Sequence, residues 1–139
     1  MRRLILDPKT TIPWHHRMAR PELVEKYMAG NVSSINPVLV VAAPEGLKDY
    51  GDFVIYNGHH RRNSAEVAGV RMKCEQIETD YDLEFLRENR KEEYLLWVPD
   101  RHGIPLFFSG SRFSVHYGAV CLAAEEFLSI ELEYPVDRP

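Results

Sequence analysis

Short apolar runs alternate with polar, turn-forming stretches along this chain, and the spacing inside each run separates strands from helices. Arg3 to Leu6 is a short apolar segment ended by Asp7-Pro8-Lys9, which predicts an initial strand and then an irregular stretch to Arg20. Pro21 suits a first helical turn, Leu23, Val24, Tyr27 and Met28 recur on one face, and Gly30-Asn31 supplies a left-handed stop. A helix over 21–29 follows. Pro37 to Ala43 holds Val38-Leu39-Val40-Val41, a β-branched run too short for most helices, and predicts a buried strand broken by Pro44-Glu45-Gly46. Phe53-Val54-Ile55-Tyr56 predicts a second strand, antiparallel to the first because the connection leaves no room for a crossover helix.

Beyond Asn57-Gly58, residues His60 to Ala68 are mostly helix-compatible, Ala65 and Ala68 can face a core, and Gly69 fits a C-terminal cap before a strand over Met72 to Ile77. Thr79 or Asp80 can cap a third helix running to about Glu93, with Leu83, Phe85 and Leu86 apolar and its charged positions read as a solvated face. Leu95-Leu96-Trp97-Val98, the turn Pro99 to Gly103, and Ile104 to Phe108 read as a hairpin. A helix near 117–128 and an alternating strand, Ile130 to Tyr134, complete the map, with Pro135 and Pro139 marking a tail. The fold class expected is α+β, a small mixed sheet covered by short helices.

Composition narrows the picture in three ways. At 139 residues with 45% hydrophobic positions, the chain is the size of one domain able to bury a real core. A formal charge of −4 argues against a wholesale binder of nucleic-acid backbone, which would carry a clear Lys/Arg excess. Cys74 and Cys121 lie far apart without any CxxC or Cys/His spacing, so neither a zinc ribbon nor a disulfide framework is expected and a cytoplasmic location is the simpler reading. No run of apolar residues is long enough for an export signal or a membrane span.

The chemistry concentrates in Tyr56-Asn57-Gly58-His59-His60-Arg61-Arg62-Asn63, where a strand ends and a helix begins. A helix N-terminus offers backbone N–H groups and partial positive charge, Gly58 permits a tight turn, and Arg61 with Arg62 can supply forked donors to phosphate oxygens. The competing reading is a surface turn whose arginines pair with Glu66 at i,i+4 and with other acids. Six histidines raise the question of a metal, but His15-His16 and His59-His60 are adjacent pairs that diverge in direction, and no HxxxH or Cys/His cluster is present. No protein-ligated metal is therefore expected, although one His from each pair could meet in space. Trp97, Phe107, Phe108, Phe113 and Tyr117 are read as core rather than as a base-stacking platform, and His116 as a hydrogen-bonded structural residue.

At these residues the chain resembles the ParB/sulfiredoxin superfamily. Asn36-Pro37-Val38-Leu39-Val40-Val41 looks like that family's first apolar strand, and Val54 to Arg61 like its G-x-(H/R)-R box continued by Ala65 and Gly69. Ile12-Pro13-Trp14-His15-His16-Arg17 before Pro21-Glu22-Leu23 is similar to its upstream box. The resemblance covers roughly residues 4–80, and it implies a nucleotide-binding core over 1–80 with an α/β elaboration over 81–139 packed on the same domain.

Members of that family hold nucleotide phosphates in this pocket. The resemblance implies a cradle of Gly58, His59, His60, Arg61, Arg62 and Asn63, with Arg17 closing it from the other side, for ATP, ADP or CTP carrying Mg²⁺. Sulfiredoxins place a catalytic Cys where this chain has His59, and Cys74 lies on a later strand, so repair of a sulfinic acid lacks its nucleophile. ParB proteins add a helix-turn-helix and a dimerisation domain for which the remaining chain is too short. The GHHR form looks most like the free-serine kinases, but their upstream carboxylate is replaced by His15-His16-Arg17. A phosphotransferase or nucleotide hydrolase would draw its base from His60, His59 or His16, or from nearby Glu22. The alternative reading is a non-catalytic DNA-associated ParB-like module or a ParB-like nuclease, with DNA a partner not favoured by the charge.

Overall fold

Strand Val38–Ala42, here β3, carries the architecture, and its four buried apolar residues explain why. Val38, Leu39, Val40 and Val41 are all at most 1% exposed, so successive side chains on opposite faces are both covered. The computed structural model describes residues 1–16, 18–95 and 112–133, with only the backbone described over 130–133. Its strands are β1 (Arg2–Leu6), β2 (Thr11–Ile12), β3, β4 (Phe53–Asn57) and β5 (Met72–Gln76). They form one mixed sheet in the order β1-β5-β3-β4-β2. β1 runs antiparallel to β5, β5 parallel to β3, β3 antiparallel to β4, and β4 parallel to β2.

Two helices cover each face. Val38, Val40, Ile55, Met72 and Cys74 meet Tyr27 of α1 (Pro21–Met28) and Ala65 of α2 (His59–Ala68). Leu39, Val41, Val54 and Tyr56 meet Leu83 and Leu86 of α3 (Asp80–Asn89) and Val120, Cys121 and Ala124 of α4 (Arg112–Glu133). The α+β class and mixed sheet expected from the hydrophobic pattern are thus present. The β3–β4 pair is antiparallel as its short connection requires. Gly30 and Gly69 end α1 and α2 with positive φ, and Thr79 caps α3 in a box with Asp82.

Three expectations need correction. The stretch to Arg20 is not wholly irregular, because Thr11–Ile12 adds a two-residue strand beside β4, too short to leave a pattern. The third helix stops at Asn89, and Glu93 is a buried residue of the following turn instead of part of a solvated helical face. Residues 130–133 continue α4 rather than forming a strand, since four alternating positions cannot define a period against a helix already running from Arg112. Phe113 and Tyr117 stack on each other and pack against the core, as expected. Arg17, the hairpin residues 96–108 with Trp97, Phe107 and Phe108, and the tail from Tyr134 lie outside the described residues.

Among the described residues no helix is long and apolar enough to cross a membrane. Leu83 is fully buried where α3 meets the sheet, so Leu83→Ala should lower unfolding free energy by about 2–5 kcal/mol, read as a drop in urea midpoint with unchanged slope.

Candidate functional site

The site begins where β4 hands the chain to α2. Gly58 sits at φ 112°, a left-handed conformation that lets the backbone turn directly from strand into helix. The turn also needs the missing side chain. A Cβ on Gly58 would lie 3.0 Å from Arg61 Nη2 and 3.1 Å from its Nε, because the guanidinium lies over the glycine. No side chain caps the N-terminus of α2, which therefore keeps the partial positive charge and donor groups of an open helix end.

Arg61 joins three segments. Its Nη1 donates to the Asn36 and Pro37 carbonyls at 3.1 and 3.0 Å, and Nη2 lies 3.4 Å from Glu93 Oε2. Among the described residues these are the contacts that the guanidinium makes. The same residue is thus both a strut of the fold and a cationic wall of the cavity.

That cavity has a volume of about 680 Å³, and it is lined by Gly58, His59, His60 and Arg61 together with Arg20, His15, Glu92, Glu93 and Leu95. The upstream box is brought in through Trp14. Its indole Nε1 donates to the Ile55 carbonyl at 2.6 Å, and its backbone N–H donates to His59 Nε2 at 3.1 Å. An acceptor Nε2 puts the His59 proton on Nδ1, so this buried ring is a neutral support for the box. His60 is set differently. Its Nδ1 lies 2.8 Å from the Met18 carbonyl, which can only accept, so Nδ1 carries a proton and Nε2 is the ring nitrogen turned to other partners. Ser64 Oγ donates to the His60 carbonyl and accepts from the Arg20 backbone, tying the box to α2 a second time.

The far wall is the turn after α3. Asn57 Nδ2 donates to the Glu93 carbonyl at 3.0 Å, and the Leu95 N–H donates to Tyr56 Oη at 3.0 Å. The Tyr56 hydroxyl also hydrogen-bonds His116 Nδ1 of α4, at 3.0 Å. Burial, reinforced by Arg112, pushes the His116 pKa below its ordinary value, so the imidazole stays neutral and can accept. Burial pushes Tyr56 well above the usual phenol range, which keeps its hydroxyl proton in place. Glu93 bridges two arginines, with Oε1 3.0 Å from Arg90 Nη2 and Oε2 on Arg61. Arg90 reaches on to Glu75 at 2.6 Å, and although burial works against its charge, the hydrogen bonds to Glu75 and Glu93 raise its pKa.

The residues singled out from sequence divide clearly. Gly58, His59, His60 and Arg61 converge on the cavity. Arg62 does not. It turns toward the β2 side, with Nε on Thr11 Oγ1, Nη2 on the Pro8 carbonyl and Nη1 on Asn63 Oδ1 and Glu66 Oε2. The surface-pairing alternative therefore describes Arg62, at the i,i+4 partner named for it, and Asn63 follows it outside the lining. His16 is exposed and packs against Phe127 of α4, and Glu22 is exposed on α1 outside the lining. Arg17 lies outside the described residues.

His15 and His59, one from each adjacent pair, do meet, with ring centroids 5.5 Å apart. Among the described residues no group of three His, Cys, Asp or Glu side chains converges as a metal site. Sequence reasoning missed His15, Arg20, Asn57 and Glu93 as site residues. Only Asn57 carried a local signal, as the residue before the glycine turn; the others are brought in by packing.

Two outcomes test this geometry. Gly58→Ala forces a left-handed alanine against the Arg61 guanidinium and should cost about 1–3 kcal/mol of stability in urea unfolding. His116 titrates the other way from a stabilising cation: it is neutral when folded and binds a proton more readily when unfolded. Its contribution is fully present above about pH 6.5 and is lost as pH falls through its lowered folded value. Between pH 7.5 and 5.5 the urea midpoint of the native chain should therefore fall more than that of His116→Gln.

No protein-family model matches this chain, and no curated protein matches it at a significant level.

Proposed function

We propose that the cavity over Gly58 binds the phosphates of a nucleoside di- or triphosphate, with ATP, ADP and CTP as candidates. The observation that carries this reading is the N-terminus of α2, left without a side-chain cap and opening onto a cavity walled by two arginines, Arg20 and Arg61. In this reading the backbone N–H groups of the first helical turn cradle phosphate, and the Arg61 guanidinium neutralises it. Mg²⁺ arrives with the nucleotide. The similarity of residues 4–80 to the ParB/sulfiredoxin superfamily supports the same assignment.

His60 is the candidate base for phosphotransfer or nucleotide hydrolysis. Its support is the Nδ1–Met18 carbonyl hydrogen bond, which fixes the ring and makes Nε2 the nitrogen that would take the proton. His59 is the weaker candidate, because its Nε2 is spent on the Trp14 N–H. Two buried cysteines, neither in a disulfide, are compatible with a reducing cytoplasm.

Calorimetry with ATP, ADP, CTP and GTP in the presence of Mg²⁺ tests the reading, and silence with all four at millimolar concentration rejects it. Arg61→Ala should weaken binding by about tenfold or more, the cost of a charge-assisted contact. His60→Gln should leave binding in place while lowering any phosphate release about 10²-fold or more. Binding without turnover in the native chain would remove the enzyme and leave a nucleotide-sensing module.

A further inference from the structure

The far wall of the cavity is acidic where an anion site should be cationic. Glu93 is buried, its side chain only 6% exposed, yet it lines the cavity and already occupies Arg61 at 3.4 Å. Through Oε2 the carboxylate offers the guanidinium an acceptor oxygen and a negative charge, as a phosphate would. An anion entering over Gly58 therefore meets an arginine whose charge is taken, and a negative group beside it.

Glu93 also has somewhere to go. Oε1 is held by Arg90 at 3.0 Å, independently of the Oε2 contact with Arg61, and Arg90 is itself anchored to Glu75 at 2.6 Å. Losing Arg61 would leave the carboxylate still paired and hydrogen-bonded, so displacement avoids stranding a buried charge. The backbone of the wall is fixed separately, by Asn57 on the Glu93 carbonyl and Tyr56 on the Leu95 N–H. Side-chain rotation can thus free Arg61 without unfolding the turn.

We infer that Glu93 is a built-in competitor for Arg61 that sets the affinity and selectivity of the cavity for anions. The inference rests on the phosphate-binding reading above. An anion that contacts only the helix end leaves the Arg61–Glu93 pair intact and binds weakly. A diphosphate or triphosphate can reach both the helix end and Arg61, and displaces Glu93 onto Arg90. The ligand class whose affinity Glu93 sets is therefore an oligophosphate rather than orthophosphate.

The test is isothermal titration of the native chain, Glu93→Gln and Glu92→Gln with inorganic phosphate, inorganic pyrophosphate and ADP at fixed ionic strength. Glu92 lies on the same wall, and its substitution removes the same charge without releasing Arg61, so it calibrates the general electrostatic effect. Glu93→Gln should tighten pyrophosphate and ADP by about tenfold or more, beyond any change in Glu92→Gln, while orthophosphate, which leaves the pair intact, should change little, so the preference over orthophosphate widens. Arg90→Met gives an effect of opposite sign, because Glu93 then depends on Arg61 alone and anions should bind more weakly.

Equal affinity of native and Glu93→Gln protein, or weaker binding by Glu93→Gln while it retains a cooperative melt, overturns the competitor role and leaves the phosphate site standing. No binding of any anion by any of the folded variants overturns the phosphate site and the competitor with it. If Glu93→Gln fails to fold, the Arg90→Met arm decides alone, with unchanged or tighter binding counting against the inference.

Discussion

The guanidinium of Arg61 lying over Gly58 is the contact on which the rest of the site depends. A Cβ at position 58 would press on the guanidinium at 3.0–3.2 Å, so the glycine serves the turn by its positive φ and the arginine by its bare surface. From there Arg61 holds the Asn36 and Pro37 carbonyls at the entry to the central strand and meets Glu93 on the opposite wall. The start of β3, the start of α2 and the turn after α3 are thereby fixed around one planar cation. Carbonyls that precede a strand lack a ladder partner, and the five-donor fork of arginine supplies donors to two of them from one side chain.

The sheet makes this convergence possible. β3 is covered on both faces, by α1 and α2 on one side and by α3 and α4 on the other, and its neighbour β4 delivers Tyr56, Asn57 and Gly58 to one end of the sheet. Tyr56 faces the α3/α4 side, where it binds both Leu95 and His116. Residues distant in sequence therefore control the cavity wall through a rigid strand. The chain Leu95 N–H to Tyr56 Oη to His116 Nδ1 lies where burial lowers the His116 pKa and favours its neutral form.

Charge in the cavity is balanced rather than uniformly positive. Arg20 and Arg61 face Glu92 and Glu93, and Glu93 is shared between Arg61 and Arg90. Arg62, adjacent to Arg61 in sequence, contributes nothing to that balance, because one residue along a helix rotates a side chain by about 100° and carries it to the β2 side. Two neighbouring arginines thus divide the labour between the site and the scaffold.

Local signals in the sequence were sufficient wherever a residue's role depends on its immediate neighbours. The apolar run 38–41 announced a strand buried on both faces, Asn57-Gly58 announced the strand-to-helix turn, and Gly30, Gly69 and Thr79 announced helix ends, each through backbone conformations that few other residues adopt or through short-range capping. The four residues at the cavity from Gly58 to Arg61 were legible for the same reason. Other features were decided only by tertiary structure. Both arginines of the pair look alike in sequence, and packing alone sends Arg61 to Glu93 and Arg62 to Glu66. Glu93 reads as one more acid in a charged stretch, and it becomes a buried counter-ion because α3 stops at Asn89 and the turn folds back onto β4. His15, not His16, reaches the cavity because Trp14 is pinned to Ile55 and His59, an arrangement spanning more than forty residues that no local spacing encodes.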